Sequence, residues 1–439
     1  EVRAQLDEIL ALFSMLTEDE QEQIDLSRCY ELQAALDVAN DPAPITESVE
    51  YQEASWDGSQ VTYESKTETC TLVENSAEAV TWTAGWYAVS GTVTIDQPIT
   101  VSGDVSLILT DGCTLTAAKG IVVTDGNSLT IYAQSDGTGT LNATGTVSGQ
   151  DSSAGIGGSA TSFDSGSITI HGGVINAVSG EGYYAGAGIG GGSNINGNGG
   201  TGNDITIYGG SVTAESRTYE GGGAGVGGGA GGYNGGAGNI TIRGGTVRAT
   251  GGKFGAGIGG GTGGMNQQSG NGTVTISGGE VTAVGGSNAA GIGGGGGYQG
   301  SYNMSLTGGI GSVTITGGIV DASSPTNVPW EGYEGAPIGN GGNAGDTAAT
   351  VNKTTAIVFE NGVGAVCGDV TFDGSYEVPA GYTLNIPTGA SLSGSGTLSG
   401  GGRFTADLSE DMISVPTDLY FNGQDRSNDI KTRLSVGLT

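Results

Sequence analysis

Five segments, SITIHGGVINA (167–177), DITIYGGSVTA (204–214), NITIRGGTVRA (239–249), TVTISGGEVTA (273–283) and SVTITGGIVDA (312–322), are copies of one unit. Their first apolar positions, 168, 205, 240, 274 and 313, are separated by 37, 35, 34 and 39 residues. A second motif lies between the copies: AGIGG at 154–158, then GAGIGGG, GAGVGGG, GAGIGGG and AGIGGGG, and lastly APIGN at 336–340. Within each copy apolar and polar residues alternate, which is the period of a strand and not of a helix. Ile168 and Ile170 would point inward with Ile175 and Ala177, and Gly172-Gly173 would turn the corner between two strands. No helix-period segment intervenes, so βαβ units are excluded. Short strands repeated with tight corners predict a parallel β-solenoid, with rungs stacked about 4.8 Å apart and equivalent residues in columns.

Glycine supplies 90 of the 439 residues, nearly three times its usual ~7 % share. Such a chain could be a flexible linker, but disordered segments lack regularly placed valine, isoleucine and tyrosine. One apolar residue survives in every glycine element: Ile156, Ile189, Val226, Ile258, Ile292 and Ile338. That pattern predicts a wall so tight that a Cβ at Gly227 or Gly228 would meet the next rung. The glycine segments could form a third face of the solenoid or extended strands packed side by side. Residues 186–191, 223–228 and 255–260 also satisfy G-x-G-x-x-G. A dinucleotide site needs that loop to open a helix, whereas GSNINGNGG or AGGYNGGAG follows here.

The flanks differ. Residues 1–40 read as a helical spacer, with Val2, Leu6, Ile9, Leu10, Phe13 and Leu16 at helical spacing, a capping box from Thr17 to Glu20, and a further helix carrying Leu32, Ala35 and Leu36. Residues 41–60, opening on Asp41-Pro42-Ala43-Pro44, read as a linker. Residues 61–153 read as an N-terminal cap and short rungs, where VSGDVSLILTDGCTLTA places Val105, Leu107, Leu109, Cys113, Leu115 and Ala117 on one parity. The glycine-rich repeats fill 154–350, further β-helix rungs 351–406, and a cap or the start of another domain 407–439. The chain begins at Glu1 without Met or a signal peptide, so it is expected to be a piece of a larger protein.

Thirteen Lys+Arg against 45 Asp+Glu leave a formal net charge of −32. Nucleic-acid binding needs a basic footprint, so that class is excluded, and anionic membrane surfaces are disfavoured. No stretch approaches the ~18 apolar residues of a membrane span. The four cysteines form no C-x-x-C pair, and with one histidine a zinc site is not expected. Cys70 and Cys113 both take apolar positions near the start of the solenoid. They could form a disulfide or remain two buried free thiols.

Five threonines, 169, 206, 241, 275 and 314, fall in one outward column, as β-branched residues suit strands. The neighbouring outward column carries His171, Tyr208 and Arg243, with Arg248 across the corner. Arginine can grip a carboxylate bidentately, and tyrosine can stack on a sugar face. This column is therefore a candidate patch for an acidic glycan. Trp330 and Tyr333, in a Pro-bounded insertion, are further candidates for exposed contact. Ile195, Tyr233, Met265 and Tyr298 recur after the glycine element and read as a buried stack. Asp204, in GGTGND, is a weak Ca²⁺ candidate, because Thr206 stands where the calcium repeat needs a large apolar residue. No cofactor other than possible Ca²⁺ is expected. The outward face of the strands shows no paired carboxylates of the kind glycoside hydrolysis uses.

The segments WTAGWYAVSGTVTI (82–95), VSGDVSLILTDGCTLTA and NSLTIYAQSDGTGTLNATG (127–145), with the AGIGGG…ITIxGGxVxA repeats, resemble an extracellular β-helix module of large surface proteins of Gram-positive gut bacteria. Such modules are similar to right-handed parallel β-helices of the pectate-lyase-like type. The resemblance covers residues 60 to 405 and implies a secreted or wall-attached, adhesin-like protein of a kind labelled carbohydrate-binding; with the outward residues above, the expected role is non-catalytic, with glycan bound on the lateral face. It supplies no ligand or catalytic residue. A polysaccharide lyase or hydrolase on the same scaffold and a purely structural stalk are the alternatives.

Overall fold

The computed structural model describes residues 2–17, 21, 24–31, 44–297, 308–325, 334–345, 347–407, 420–421 and 424–425. Two compact units are present, Glu1–Thr46 and Glu47–Thr439. In the first, helix α1 spans Val2–Phe13, and residues 27–31 are again helical. Leu32, Ala35, Leu36 and Glu20 of the sequence reading lie outside the described residues.

The second unit is a right-handed parallel β-helix. Each glycine-rich rung contributes a strand to each of three faces. Face A holds Ser167–Ile170, Gly202–Ile207, Gly238–Ile242, Gly272–Ile276 and Gly311–Ile315. Face B holds Val174–Val178, Ser211–Glu215, Thr246–Thr250, Glu280–Val284 and Ile319–Ser323. Face C consists of two-residue strands from Ile156–Gly157 to Ile338–Gly339. Parallel pairing keeps strict register: Ile168, Ile205, Ile240, Val274 and Val313 form one column, and Ala177, Ala214, Ala249, Ala283 and Ala322 another. All are at most 1 % exposed and belong to one continuous core. Each rung covers its neighbour and supplies its backbone hydrogen bonds, so stability accumulates along the axis.

Two recurring positions require glycine for its backbone conformation. At the corner between faces A and B the second glycine is left-handed, with φ of 80–89° at Gly173, Gly210, Gly245, Gly279 and Gly318. At face C the glycine after the apolar residue has φ of 132–137° from Gly157 to Gly339. A Cβ on Gly227 would lie 2.0 Å from the Gly259 carbonyl of the next rung, the clash expected from the sequence. At Gly228 the obstacle is the Gly236 carbonyl of the same rung, at 1.9 Å.

The glycine segments combine both packings left open by the sequence. Face C is a true third face. Beyond it the outgoing and returning glycine strands of successive rungs alternate: Gly229 N–H donates to Gly200, Gly236 to Gly229, Gly261 to Gly236, Gly270 to Gly261 and Gly295 to Gly270, at 2.8–3.0 Å. Only glycine permits this packing, since a Cβ on Gly236 or Gly270 would lie 1.8 Å from a carbonyl of the preceding rung. The tip of this lobe is not the buried stack expected from the sequence: Tyr233 and Met265 are more than half exposed and Ile195 is partly so, while Tyr298 lies outside the described residues. The lobe is a backbone-paired slab too thin to bury side chains at its rim.

The flanks also depart from expectation. Of the expected 41–60 linker, residues 46–60 are not linker, because β1 (Thr46–Trp56) forms a hairpin with β2 (Val61–Leu72). The next strand, β3 (Val80–Val89), starts the rungs. At the other end Ala356–Glu360 is the last strand in the all-parallel run of face B, where an Asn361-Gly362 turn with both φ positive reverses the chain while the sheet continues through Val363–Cys367, Thr383–Ile386 and Arg403–Ala406. Antiparallel pairing of Glu360 with Val363 follows, as such a turn favours. Residues 363–406 then build a second, smaller parallel β-helix whose rungs repeat at Asp369 and Ser391, Ser375 and Thr397, and Thr383 and Arg403. It has its own core around Phe359, Tyr376, Leu384, Leu392 and Leu398.

Candidate functional site

The column His171–Tyr208–Arg243 leaves face A on its outer side, as the alternation requires, but it is covered. β1 runs along the solenoid axis on top of it. Ala54 N–H donates to His171 Nδ1 at 2.9 Å, and His171 is only 8 % exposed. The imidazole is stacked between Tyr132 (4.5 Å, 15°) and Tyr208 (5.1 Å, 12°). Burial drives its pKa down to about 4, so the ring is neutral and Nδ1 free to accept at ordinary pH.

A small apolar layer anchors the hairpin outside the solenoid wall: Val49 and Tyr51 of β1 and Cys70 of β2 pack on Ala88, Ile108 and Tyr132. Cys70 therefore lies outside the wall, whereas Cys113 lies in the interior core, and both thiols are free. The disulfide alternative is thereby overturned. β2 continues over the glycine corner, where the Tyr63 hydroxyl occupies the space a side chain at Gly209 would need. An ion pair of Lys66 with Glu53 ties β2 to β1.

At the hairpin tip, Asp57 Oδ1 accepts the N–H groups of Ser59 (2.7 Å) and Gln60 (2.8 Å), and these bonds hold its carboxyl below the usual carboxylate range. Just before the tip, Trp56 receives the Arg243 guanidinium 5.0 Å from its ring centroid, while Arg243 Nη1 donates to Ser277 Oγ at 3.0 Å. Arg243 thus braces Trp56 against the solenoid. It is not the open anion-binding cation of the sequence reading.

Beyond the tip a cleft of about 860 Å³ opens where three parts meet: the hairpin tip, the corner between faces A and B of the last rungs, and the second β-helix. Trp56 and Phe372 supply aromatic surface on opposite parts. Ser59, Ser277, Thr316, Thr355, Thr371 and Ser375 supply hydroxyls, and the glycines at 279, 317 and 318 bring backbone to the surface. Two carboxylates line the same space. Glu280 is 3.5 Å from the Arg248 guanidinium, and Asp369 Oδ1 accepts from Ser391 Oγ at 2.6 Å. Flat apolar faces beside many hydroxyls and exposed backbone suit a ligand that is itself apolar on one face and hydroxylated at its edge.

The sequence candidates are thus dispersed. Arg248 is exposed on face B and paired with Glu280. Asp204 is exposed, and its Oδ1 accepts from Asn239 Nδ2 at 2.7 Å. Among the described residues no group of three His, Cys, Asp or Glu side chains could hold a metal ion. Trp330 and Tyr333 lie outside the described residues. The threonine column is in register as expected, extended by Thr130. Sequence reasoning missed Trp56, Phe372 and the hairpin, although a signal existed. Trp86, Ala88, Ile108 and Tyr132 put apolar groups on the outward parity, which is where a second layer must cover a sheet.

A family model described as "Beta helix repeat" matches residues 168–193, 205–230, 240–262 and 274–296. These are four successive glycine-rich rungs from face A through face C. No curated protein and no solved structure matches the chain.

Proposed function

We propose that this is a non-catalytic, extracellular surface protein, adhesin-like in role, which binds glycan in the cleft at the hairpin tip. The observation that carries the reading is the composition of that cleft: Trp56 and Phe372 on separate structural parts, with six hydroxyl side chains and glycine backbone between them. A sugar ring can stack on either aromatic while its hydroxyl groups replace water at the serines and threonines. The surroundings favour an uncharged sugar over the acidic one suggested by Arg243 and Arg248. Both arginines are engaged, and the cleft itself presents Glu280 and Asp369.

A glycan array probed with the full chain tests the reading, with selective binding to neutral glycans expected. Absence of binding to any glycan would sink it and leave the structural-stalk role. One observation favours a hydrolase or lyase as the second reading: two carboxylates face one cleft, the minimum that glycoside hydrolysis needs. Release of reducing ends from a bound polysaccharide, abolished by Glu280→Gln, would support that alternative.

A further inference from the structure

A second cleft, of about 500 Å³, opens on the same corner of the solenoid, between β2 and the turn after the strand Ser128–Ala133. Tyr63, Gln52, Gln134, Asp136, His171 and Ser211 line it. Tyr63 is half exposed there.

The two clefts are joined by strand register. Ser211 lines the second cleft and Glu280 the first, and Thr246 pairs with both as the opening residue of the intervening face B strand. Two rung steps separate them, about 10 Å at the usual strand spacing. Thr246 lines neither cleft. Along the axis a single residue, Thr246, therefore separates the two linings; in the same rung Val61 of β2 lies over Gly244, and Arg248 is exposed two residues further along the strand. Each end carries a carboxylate, Asp136 at one and Asp369 at the other, while Glu280 beside Asp369 is paired with Arg248. A polyanion laid from one cleft to the other would meet like charge at both ends, whereas an uncharged polymer would not.

We propose that one uncharged linear polysaccharide occupies both clefts at once, crossing Thr246, so that the protein recognises the length of a chain and not its terminal sugar. The proposal rests on the glycan reading of the first cleft. Two weak sites engaged by one chain gain affinity because the second contact forms at high effective concentration.

Calorimetric titration of the full chain with cello-, xylo- and manno-oligosaccharides, each from disaccharide to octasaccharide, tests it beside an oligogalacturonate ladder. For at least one neutral ladder, affinity should rise by about tenfold or more between the short and long members. The carboxylated ladder should bind more weakly. Thr246→Arg, which obstructs the strip between the clefts, and Tyr63→Ala, which strips the second cleft, should each lower long-chain affinity to the short-chain value and leave short-chain binding unchanged. Flat length dependence with intact short-chain binding would overturn this proposal alone. A preference for the carboxylated ladder, or long-chain affinity unmoved by both substitutions, would also overturn it. Absence of binding by every ladder would remove the reading of the first cleft as well.

Discussion

At the scale of single residues, the glycines divide into those that need freedom of φ and those that need emptiness. Gly227 needs both, with φ of 136° and the Gly259 carbonyl 2.0 Å from where a Cβ would be. Gly227→Val should therefore cost about 3 kcal/mol or more, read as a lowered midpoint in chemical denaturation. Gly112, with φ of 74° and open space around it, should accept Asn with little change. The first outcome was legible in the sequence, because an apolar residue kept among glycines at each repeat implies a wall with no spare volume. His171 was not legible. An outward position on a strand gives no sign of burial unless the layer above it is recognised. Its pKa is about 4 in the folded protein against an ordinary value near 6.5. The unfolded chain therefore binds the extra proton first as pH falls. Stability should be full above pH 6.5 and decline between about 6.5 and 4, by up to roughly 3 kcal/mol. Denaturation midpoints measured across that range should show the decline, and His171→Gln should remove most of it.

At the scale of elements, the N-terminal hairpin changes the meaning of the outer column. Alternation identified which residues leave face A outward, and the register of Thr169, Thr206, Thr241, Thr275 and Thr314 follows from it. Alternation cannot show what lies on top, because β1 crosses the rungs, meeting the solenoid strands at the Gln52–Ala133 pair and packing on them by side chains. The Pro-rich opening of 41–60 concealed a strand that begins at Thr46. The reversal at Asn361-Gly362 was readable as a turn, but a parallel solenoid pattern on both sides masked the start of a second β-helix. The hairpin also fixes the fate of two thiols. Cys70 is sealed beneath it, with burial pushing its pKa up to about 11, and Cys113 is sealed in the solenoid. Since the thiolate is the reactive form, neither should react with an aromatic disulfide reagent in the native protein. Both should react once denaturant unfolds the chain. Rapid native labelling of Cys70 would show that the hairpin lifts off.

At the scale of the whole molecule, the regular rungs provide strands locked in register, and the irregular parts create the site. The hairpin tip, the corner between faces A and B and the second β-helix are separated in sequence by more than three hundred residues, from Trp56 to Phe372. No periodicity could place Trp56 and Phe372 in one cleft, which is why the repeat was plain in the sequence and the cleft was not. The glycine lobe, with Tyr233 at its rim, belongs to a different part of each rung. The most direct measurement is titration calorimetry of the preferred neutral glycan against four proteins: the unaltered chain, Trp56→Ala, Phe372→Ala and Tyr233→Ala. Either cleft substitution should weaken binding by about tenfold or more, the cost of a lost aromatic stacking surface, while Tyr233→Ala should bind as the unaltered chain does. Full affinity in both cleft variants, or binding lost on replacing Tyr233 alone, would contradict a glycan site at the hairpin tip.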